Sequence, residues 1–308
     1  MSPECIKTGR YSHEMRTQNT LEVRRLKDAQ TCSGPVCPNI SDSHLNDLVA
    51  RLMEADRLVL TNNDVPDEVL ERWSRQVHDS HKLQQETFRL QVLTQEEYDE
   101  VYRRTGVDVD GRKKLIEFYA KFMDRNIRCY VRFTKGIPEF HDLALNDQAN
   151  LLKRARAEFW FLSSYRGFHT EYRTFYAPNG VVLNHTQYRQ MVGEESSDYQ
   201  FKMAEKIRKL GLTREELVLV KAVCLTYTDQ CQLEEPGKVQ KIQYYLLKAL
   251  HVLLARRHGN PNLALARALD MLVSLRDMSE MDFKSNSRSL VLEVLREYPM
   301  LMQVLVNF

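Results

Sequence analysis

From Asp42 the chain places Leu45, Leu48, Val49, Leu52 and Met53 three or four positions apart, the spacing of one apolar helix face. Residues 63–110 are polar and charged, which predicts exposed helices and loops. Gly111 to Thr134 predicts one long helix, with Leu115, Tyr119, Phe122, Met123, Asn126, Tyr130 and Phe133 along one stripe and Arg125, Arg128 and Arg132 on other faces. Ile137-Pro138 ends it, because a proline ring disfavours helical backbone at the residue before it. Leu143 to Phe168 predicts a second helix. Its centre, Phe159-Trp160-Phe161-Leu162, is apolar on all sides, as in a helix buried in the middle of a protein. Thr174-Phe175-Tyr176 and Val181-Val182-Leu183 flank Pro178-Asn179-Gly180, a hairpin signal. Thr213-Arg214-Glu215-Glu216 is a capping box that opens another helix. Val239 to Arg257 and Leu263 to Met278 are amphipathic, separated by Gly259-Asn260-Pro261.

Composition narrows the class. With 308 residues, 43% hydrophobic, and only 11 glycines and 9 prolines, the chain reads as a mostly α protein with one large core or two small ones. A net charge of +2 gives no global field toward nucleic acid or membrane. No apolar run has the length of a membrane span, and the first residues lack an apolar signal core, so a soluble intracellular chain is expected. Cys5, Cys32, Cys37, Cys129, Cys224 and Cys231 form no Cys-x-x-Cys and join no histidine pair of zinc-finger spacing; free thiols and no metal site are expected. There is no Gly-x-Ser-x-Gly, phosphate loop or His-Glu-x-x-His. His141 beside Asp142 is the nearest approach to an acid/base pair, and its place in a turn suits a cap or a surface histidine better. No enzymatic activity is expected.

The most specific string is Phe133 to Leu162, which holds Phe133-x-Lys135, Ile137-Pro138, Phe140-x-x-Leu143, Asp147-Gln148 and Leu151-Leu152-Lys153 in fixed register. This string resembles the signature of the nuclear receptor ligand-binding domain, of the thyroid, retinoid and vitamin D-like group. The resemblance covers residues 42–308. Met1-Ser2-Pro3-Glu4-Cys5-Ile6-Lys7-Thr8-Gly9-Arg10 resembles the end of that family's DNA-binding domain, so residues 1–30 read as its C-terminal extension and residues 31–41 as a hinge. On this reading the chain starts just after its zinc fingers; a disordered basic tail is the plainer alternative. The resemblance implies an all-α fold, a three-layer antiparallel helical sandwich with one small β-hairpin. It also implies nuclear localisation and regulation of transcription.

The resemblance further implies a coregulator trough formed by Val131, Lys135, Gln148, Ala149, Leu152, Lys153, Leu301 and Gln303. An amphipathic Leu-x-x-Leu-Leu helix of a coactivator or corepressor would lay its apolar face there, with a lysine meeting its free terminal carbonyls. Two solvated surface lysines are the plainer reading. Pro299 to Leu305 resembles the family's activation helix, but Gln303 stands where a glutamate is expected. The side chain still accepts a hydrogen bond, whereas a charge-assisted one is roughly twice as strong.

A small lipophilic ligand would sit among Tyr119, Phe122, Met123, Asn126, Trp160, Phe161, Ser163, Arg166 and Phe175. Ser163 occupies the place where several acid-binding relatives carry arginine, which points to a neutral or hydroxylated ligand. A core filled by its own aromatics is an equal alternative. Leu265, Leu269, Leu272 and Arg276 mark the helix that pairs in the family, with a retinoid X-type receptor or a second copy as partner. Relatives carry an arginine that pairs with a glutamate of the central helix; Glu158 is here, Gln230 replaces the arginine, and Arg154 or Arg156 are the substitutes. No cofactor is expected in this chain. Zinc, and through it DNA contact, belongs to the absent zinc fingers, and no membrane contact is expected. A fingerless receptor acting as a dimer partner or corepressor scaffold, and an unliganded α-helical adaptor, remain the other readings.

Overall fold

The computed structural model describes residues 40–59, 61–89, 92–228, 231–278, 281 and 289–305. The readings made for residues 1–39 and for Asp229-Gln230 lie outside the described residues. Residues 42–308 form one unit. Among the described residues it contains, in chain order, α1 (Asp42–Asp56), α2 (Asp67–Phe88), α3 (Gln95–Thr105), α4 (Arg112–Phe133), α5 (Leu145–Ser164), β1 (Phe168–His169), β2 (Thr174–Tyr176), β3 (Val182–Leu183), α6 (His185–Val192), α7 (Glu194–Leu210), α8 (Arg214–Cys224), α9 (Pro236–Ala255), α10 (Pro261–Leu275), α11 (Ser289–Leu295) and α12 (Pro299–Leu305). The helices stack as a three-layer sandwich. α8 packs against α1 on one side and α9 on the other, α5 lies beside α8, and α10 packs on α9. The middle position of α8 shows in its burial, continuous from Glu216 to Cys224.

Local chemistry sets the helix limits. Three capping boxes open α3, α6 and α8, at Thr94/Glu97, Asn184/Gln187 and Thr213/Glu216. α9 and α10 each begin at a proline, whose missing N–H costs nothing at that position. Leu45, Leu48, Val49 and Leu52 of α1 are buried, as their spacing predicts.

The central helix is shorter than Leu143–Phe168. It runs from Leu145 to Ser164, gives way to a single 3₁₀ turn at Tyr165–Gly167, and the chain enters β1 at Phe168. Gly167 explains the exit. A Cβ there would stand 2.1 Å from the Tyr176 carbonyl oxygen and 2.2 Å from Asn62 Nδ2. The same Asn62 amide donates to Ser164 O at 3.0 Å and Tyr176 O at 2.8 Å. The chain therefore turns against β2 instead of continuing as helix. The expected hairpin is β2–β3, closed by Ala177 N donating to Val181 O at 2.7 Å. β1 adds a third antiparallel strand to it.

The seam of α4 also differs. Ile116, Ala120, Met123, Ile127, Tyr130 and Phe133 are buried, while Leu115, Tyr119 and Phe122 are only half-buried. Within the polar stretch 63–110, Tyr98 of α3 is fully buried in the core beside Leu290, Val291 and Val294. Two ion pairs lie in the core. Lys221 of α8 reaches Asp56 of α1 at 2.8 Å, and Arg154 is bonded to Glu158 one turn away along α5. Of the two arginines named beside Glu158, Arg154 is the one bonded to it, and position 230 lies outside the described residues.

Candidate functional site

The expected trough residues lie on three neighbouring pieces of chain. Val131 projects from the last turn of α4 and is 41% exposed. Lys135 is exposed on the 3₁₀ turn Thr134–Gly136, which Thr134 Oγ1 braces by donating to Val131 O at 2.7 Å. Gly136 lets this turn press on α1; a Cβ there would lie 3.1 Å from Leu52 and 3.3 Å from Arg51 O. Gln148, Ala149, Leu152 and Lys153 are half-buried along the first half of α5. The surface between α4 and α5 is therefore a partly open apolar strip with an ammonium near each lysine end. Neither the Lys135 nor the Lys153 ammonium has an ion-pair partner among the described residues.

The other signature residues hold this surface in shape. The Gln148 amide donates to Leu143 O at 2.9 Å and His141 O at 3.3 Å, which fixes the turn ahead of α5. Asp147 is buried, and its two carboxylate oxygens accept from the backbone N–H groups of Glu234 at 2.7 Å and Glu235 at 2.9 Å. That anchors the segment that leads into α9. Tyr130 donates to Leu152 O at 2.7 Å and so joins α4 to α5 beneath the strip. His141 faces Thr134 Oγ1 at 3.3 Å, not a carboxylate.

α12 packs on α4, α5 and α11. Leu301 and Leu305 enter the core with Ile116, Ala120, Met123 and Ile127. Gln303 is exposed on the opposite side. Leu301 thus fixes the helix from beneath and does not line the open strip, a correction to its expected place. The spacing put Leu301 and Gln303 in one motif, but on a helix residues two apart face nearly opposite ways.

A small pocket of about 70 Å³ opens between aromatic side chains. Of the expected ligand residues Tyr119, Trp160, Phe161 and Phe175 line it, together with Ala157, Ser164, Phe168, Tyr188, Met191, Gln200 and Met278. Five expected residues do not line it. Met123 belongs to the core shared with α11 and α12, Phe122 packs on that core's edge, and Asn126 is buried on α4 away from the cavity lining. Ser163 is buried and returns its hydroxyl to Phe159 O at 2.9 Å. Arg166 leaves the cavity altogether, bonding Asn63 O and, at 2.5 Å, Asp67. Phe168 fills the middle of the space, with ring centroids 4.4 Å from Phe175, 5.3 Å from Phe161, 5.5 Å from Tyr188 and 5.2 Å from Phe201. The Trp160 indole N–H is buried at this site with no hydrogen-bond partner among the described residues.

On the expected pairing helix α10, Leu272 is 2% exposed and faces the core. Leu265, Leu269 and Arg276 are half-buried, and Arg276 stacks its guanidinium on Tyr227 with 4.9 Å to the ring centroid. The exposed apolar residues of this helix are Leu263 and Val273, which the spacing alone did not separate from the inward Leu272. Cys129, Cys224 and Cys231 are free thiols. Among the described residues no group of side chains could hold a metal ion, and no helix is long and apolar enough to cross a membrane.

The family model described as the ligand-binding domain of nuclear hormone receptor matches residues 112–292, the stretch that carries α4, the signature turn, α5 and the helices behind them. Retinoic acid receptor gamma of Xenopus laevis is 30% identical over 194 residues, covering 62% of this chain and 40% of the relative. Retinoic acid receptor alpha of the same organism is 28% identical over 198 residues, covering 62% of this chain and 42% of the relative. The chain spans about two fifths of the length of these curated relatives. With its helical sandwich, its small antiparallel sheet and this match, the chain belongs to the nuclear hormone receptor family through its ligand-binding domain.

Proposed function

We propose that this receptor regulates transcription by holding leucine-rich helices of coregulators in the strip between α4 and α5. The observation that carries the reading is the juxtaposition of exposed Val131 and half-buried Gln148, Ala149 and Leu152 with the ammoniums of Lys135 and Lys153, which have no ion-pair partner among the described residues. The apolar side chains take the leucines of an incoming helix, and Lys135 meets the free carbonyls at its C-terminal end. Gln303 faces the other end from α12. It accepts hydrogen bonds from the helix N-terminus without adding charge, so capture of a coactivator is weaker than a carboxylate there would give.

The cavity bears on ligand control. About 70 Å³ is well under the ~300–1,000 Å³ of small-molecule sites. The relatives are named for retinoic acid. A lipophilic molecule of that size enters this chain only if Phe168 and its ring neighbours move, and the bare Trp160 N–H would then give it one donor. The reading supported best is a groove that works with the aromatic core closed. Residues 1–30 as the tail of a DNA-binding domain and residues 31–41 as a hinge complete the reading. So do a nuclear location, DNA contact through zinc fingers, and pairing with a retinoid X-type receptor or a second copy through α10, where Leu263 and Val273 are exposed.

The test is fluorescence polarisation of a Leu-x-x-Leu-Leu coactivator peptide and a longer corepressor peptide, on wild type and Gln303→Glu. The carboxylate tightens the coactivator peptide by about threefold to tenfold. Absence of binding by either peptide to either protein would sink the reading.

A further inference from the structure

α12 sits on α4, α5 and α11, and α11 is held from behind by α3, a short polar helix. Tyr98 of α3 is fully buried against Leu290, Val291 and Val294 of α11. One turn on, the Tyr102 hydroxyl donates to Glu293 Oε1 of α11 at 3.1 Å. Lys113, in the first turn of α4, closes the triangle, with Nζ 2.7 Å from Glu293 Oε1 and 2.5 Å from the Tyr102 oxygen. The Tyr98 and Tyr102 rings stack, 5.8 Å apart.

α3 is in turn fixed to the start of α4. The buried Arg112 guanidinium donates to Asp110, to Gln95 Oε1 at 3.1 Å and to Leu93 O at 3.0 Å, and covers the Tyr98 ring at 4.2 Å from its centroid. The Tyr98 hydroxyl donates to Asp108 at 2.7 Å, whose carboxylate also accepts the backbone N–H groups of Lys113 and Lys114. The ionised forms suit this lattice. Hydrogen bonding to Glu293 and Tyr102 holds the Lys113 ammonium above its ordinary range, and the bond from Lys113 holds Glu293 below its own. The polar groups of Tyr98, Tyr102, Arg112, Lys113 and Glu293 thus bond one another and the turn ahead of α4.

We propose that Tyr98, Tyr102, Lys113 and Glu293 are positioning residues for the coregulator surface: α3 clamps α11 so that α12 stays seated on α4 with the interior cavity closed. The inference rests on the groove reading for its functional consequence. Its structural half, that α3 seats α12, stands separately.

Hydrogen exchange of residues 299–305 and polarisation of the Leu-x-x-Leu-Leu peptide, measured on the full chain, test both halves. The variants are Tyr102→Phe, Glu293→Gln and the pair of them, with Glu297→Gln as a charge control on an exposed position beyond α11. Each single variant speeds exchange in α12 by about threefold to tenfold, and the double variant adds little to the larger single effect, because both weaken the same Tyr102–Lys113–Glu293 triangle, one by removing the hydroxyl and the other the charge. Peptide affinity falls in step, and Glu297→Gln changes neither. Tyr98→Phe, which keeps the buried ring and loses the Asp108 bond, gives a smaller effect in the same direction. Unchanged α12 exchange in Tyr102→Phe and Glu293→Gln overturns the clamp whatever the peptide does. Faster exchange with no peptide binding even to wild type leaves the clamp intact and overturns the groove reading instead.

Discussion

The Asp56–Lys221 pair joins α1 to α8 at 2.8 Å, with side chains 2% and 0% exposed and the ammonium 5.3 Å from the Phe159 ring centroid. The perturbation is Asp56→Leu. Burial already pushes the Lys221 amine below its ordinary value of 10.5, and the Asp56 carboxylate opposes that shift. Without the carboxylate the native amine gives up its proton while the unfolded chain keeps it. Near about pH 7.5 neutralising a lysine costs roughly 4 kcal/mol, at 1.36 kcal/mol for each unit below its ordinary value. That agrees with the ~3–5 kcal/mol of breaking a buried pair. The sign follows from proton counting: the unfolded variant binds one more proton than the native variant, so its stability rises with pH. The rise is about 1.4 kcal/mol per unit and ends near the unfolded value of 10.5. Wild type is flatter over the same window, because its native ammonium keeps the proton over more of it. Urea unfolding followed by circular dichroism at several pH values reads both quantities. Adding Lys221→Met to Asp56→Leu restores most of the stability, since two apolar side chains replace two desolvated charges. A deficit below about 1 kcal/mol, or one that does not change with pH, refutes the reasoning. So does a double variant no better than the single one.

Three further outcomes test the frame around the groove. Gly167→Ala forces a Cβ against the Tyr176 carbonyl and the Asn62 amide, and thermal unfolding falls by about 5–10 °C, as expected for roughly 3 kcal/mol of overpacking. Asp147→Ala leaves the Glu234 and Glu235 N–H groups without their carboxylate, costs about 3 kcal/mol in urea unfolding, and speeds hydrogen exchange first at the start of α9. Arg154→Met separates Glu158 from its charge partner and costs about 3 kcal/mol, which Glu158→Leu in the same chain largely recovers.

The long helices were legible because their apolar positions repeat every three or four residues over many turns, and α4, α9 and α10 begin and end within a few residues of the reading. The face of α4 was harder. Leu115, Ile116, Phe118, Tyr119 and Ala120 are apolar in near succession, so periodicity alone permits two seams, and packing against α11 and α12 chose the one through Ile116. α3 escaped notice for the opposite reason. Its stretch is charged and carries two tyrosines, yet Thr94-Gln-Glu-Glu97 is a capping box and marks its start in the sequence; Asn184-His-Thr-Gln187 does the same for α6.

Lys135, Gln148, Ala149, Leu152 and Lys153 come from one local string because Phe133 to Lys153 folds upon itself through a short turn, whereas the place of Leu301 depended on packing. The cavity could not be read in that way. Arg166 is drawn off by Asn63 and Asp67, about a hundred positions away along the chain, and Phe168 blocks the space only because the helix stops at Ser164. Such outcomes depend on long-range contacts that spacing does not encode. The buried face of Leu272 is another, since two apolar faces of α10 compete and only packing on α7 and α9 decides between them.

The central claim is that the Lys135 ammonium receives the end of a partner helix at the strip between α4 and α5. Its most direct test is a titration of a labelled Leu-x-x-Leu-Leu peptide with wild type and Lys135→Ala, beside a scrambled peptide of equal composition. The account predicts measurable binding of the ordered peptide alone and a dissociation constant raised about threefold to tenfold by the substitution, the size of a cation at a helix C-terminus. An unchanged constant, or equal binding of the scrambled peptide, contradicts it.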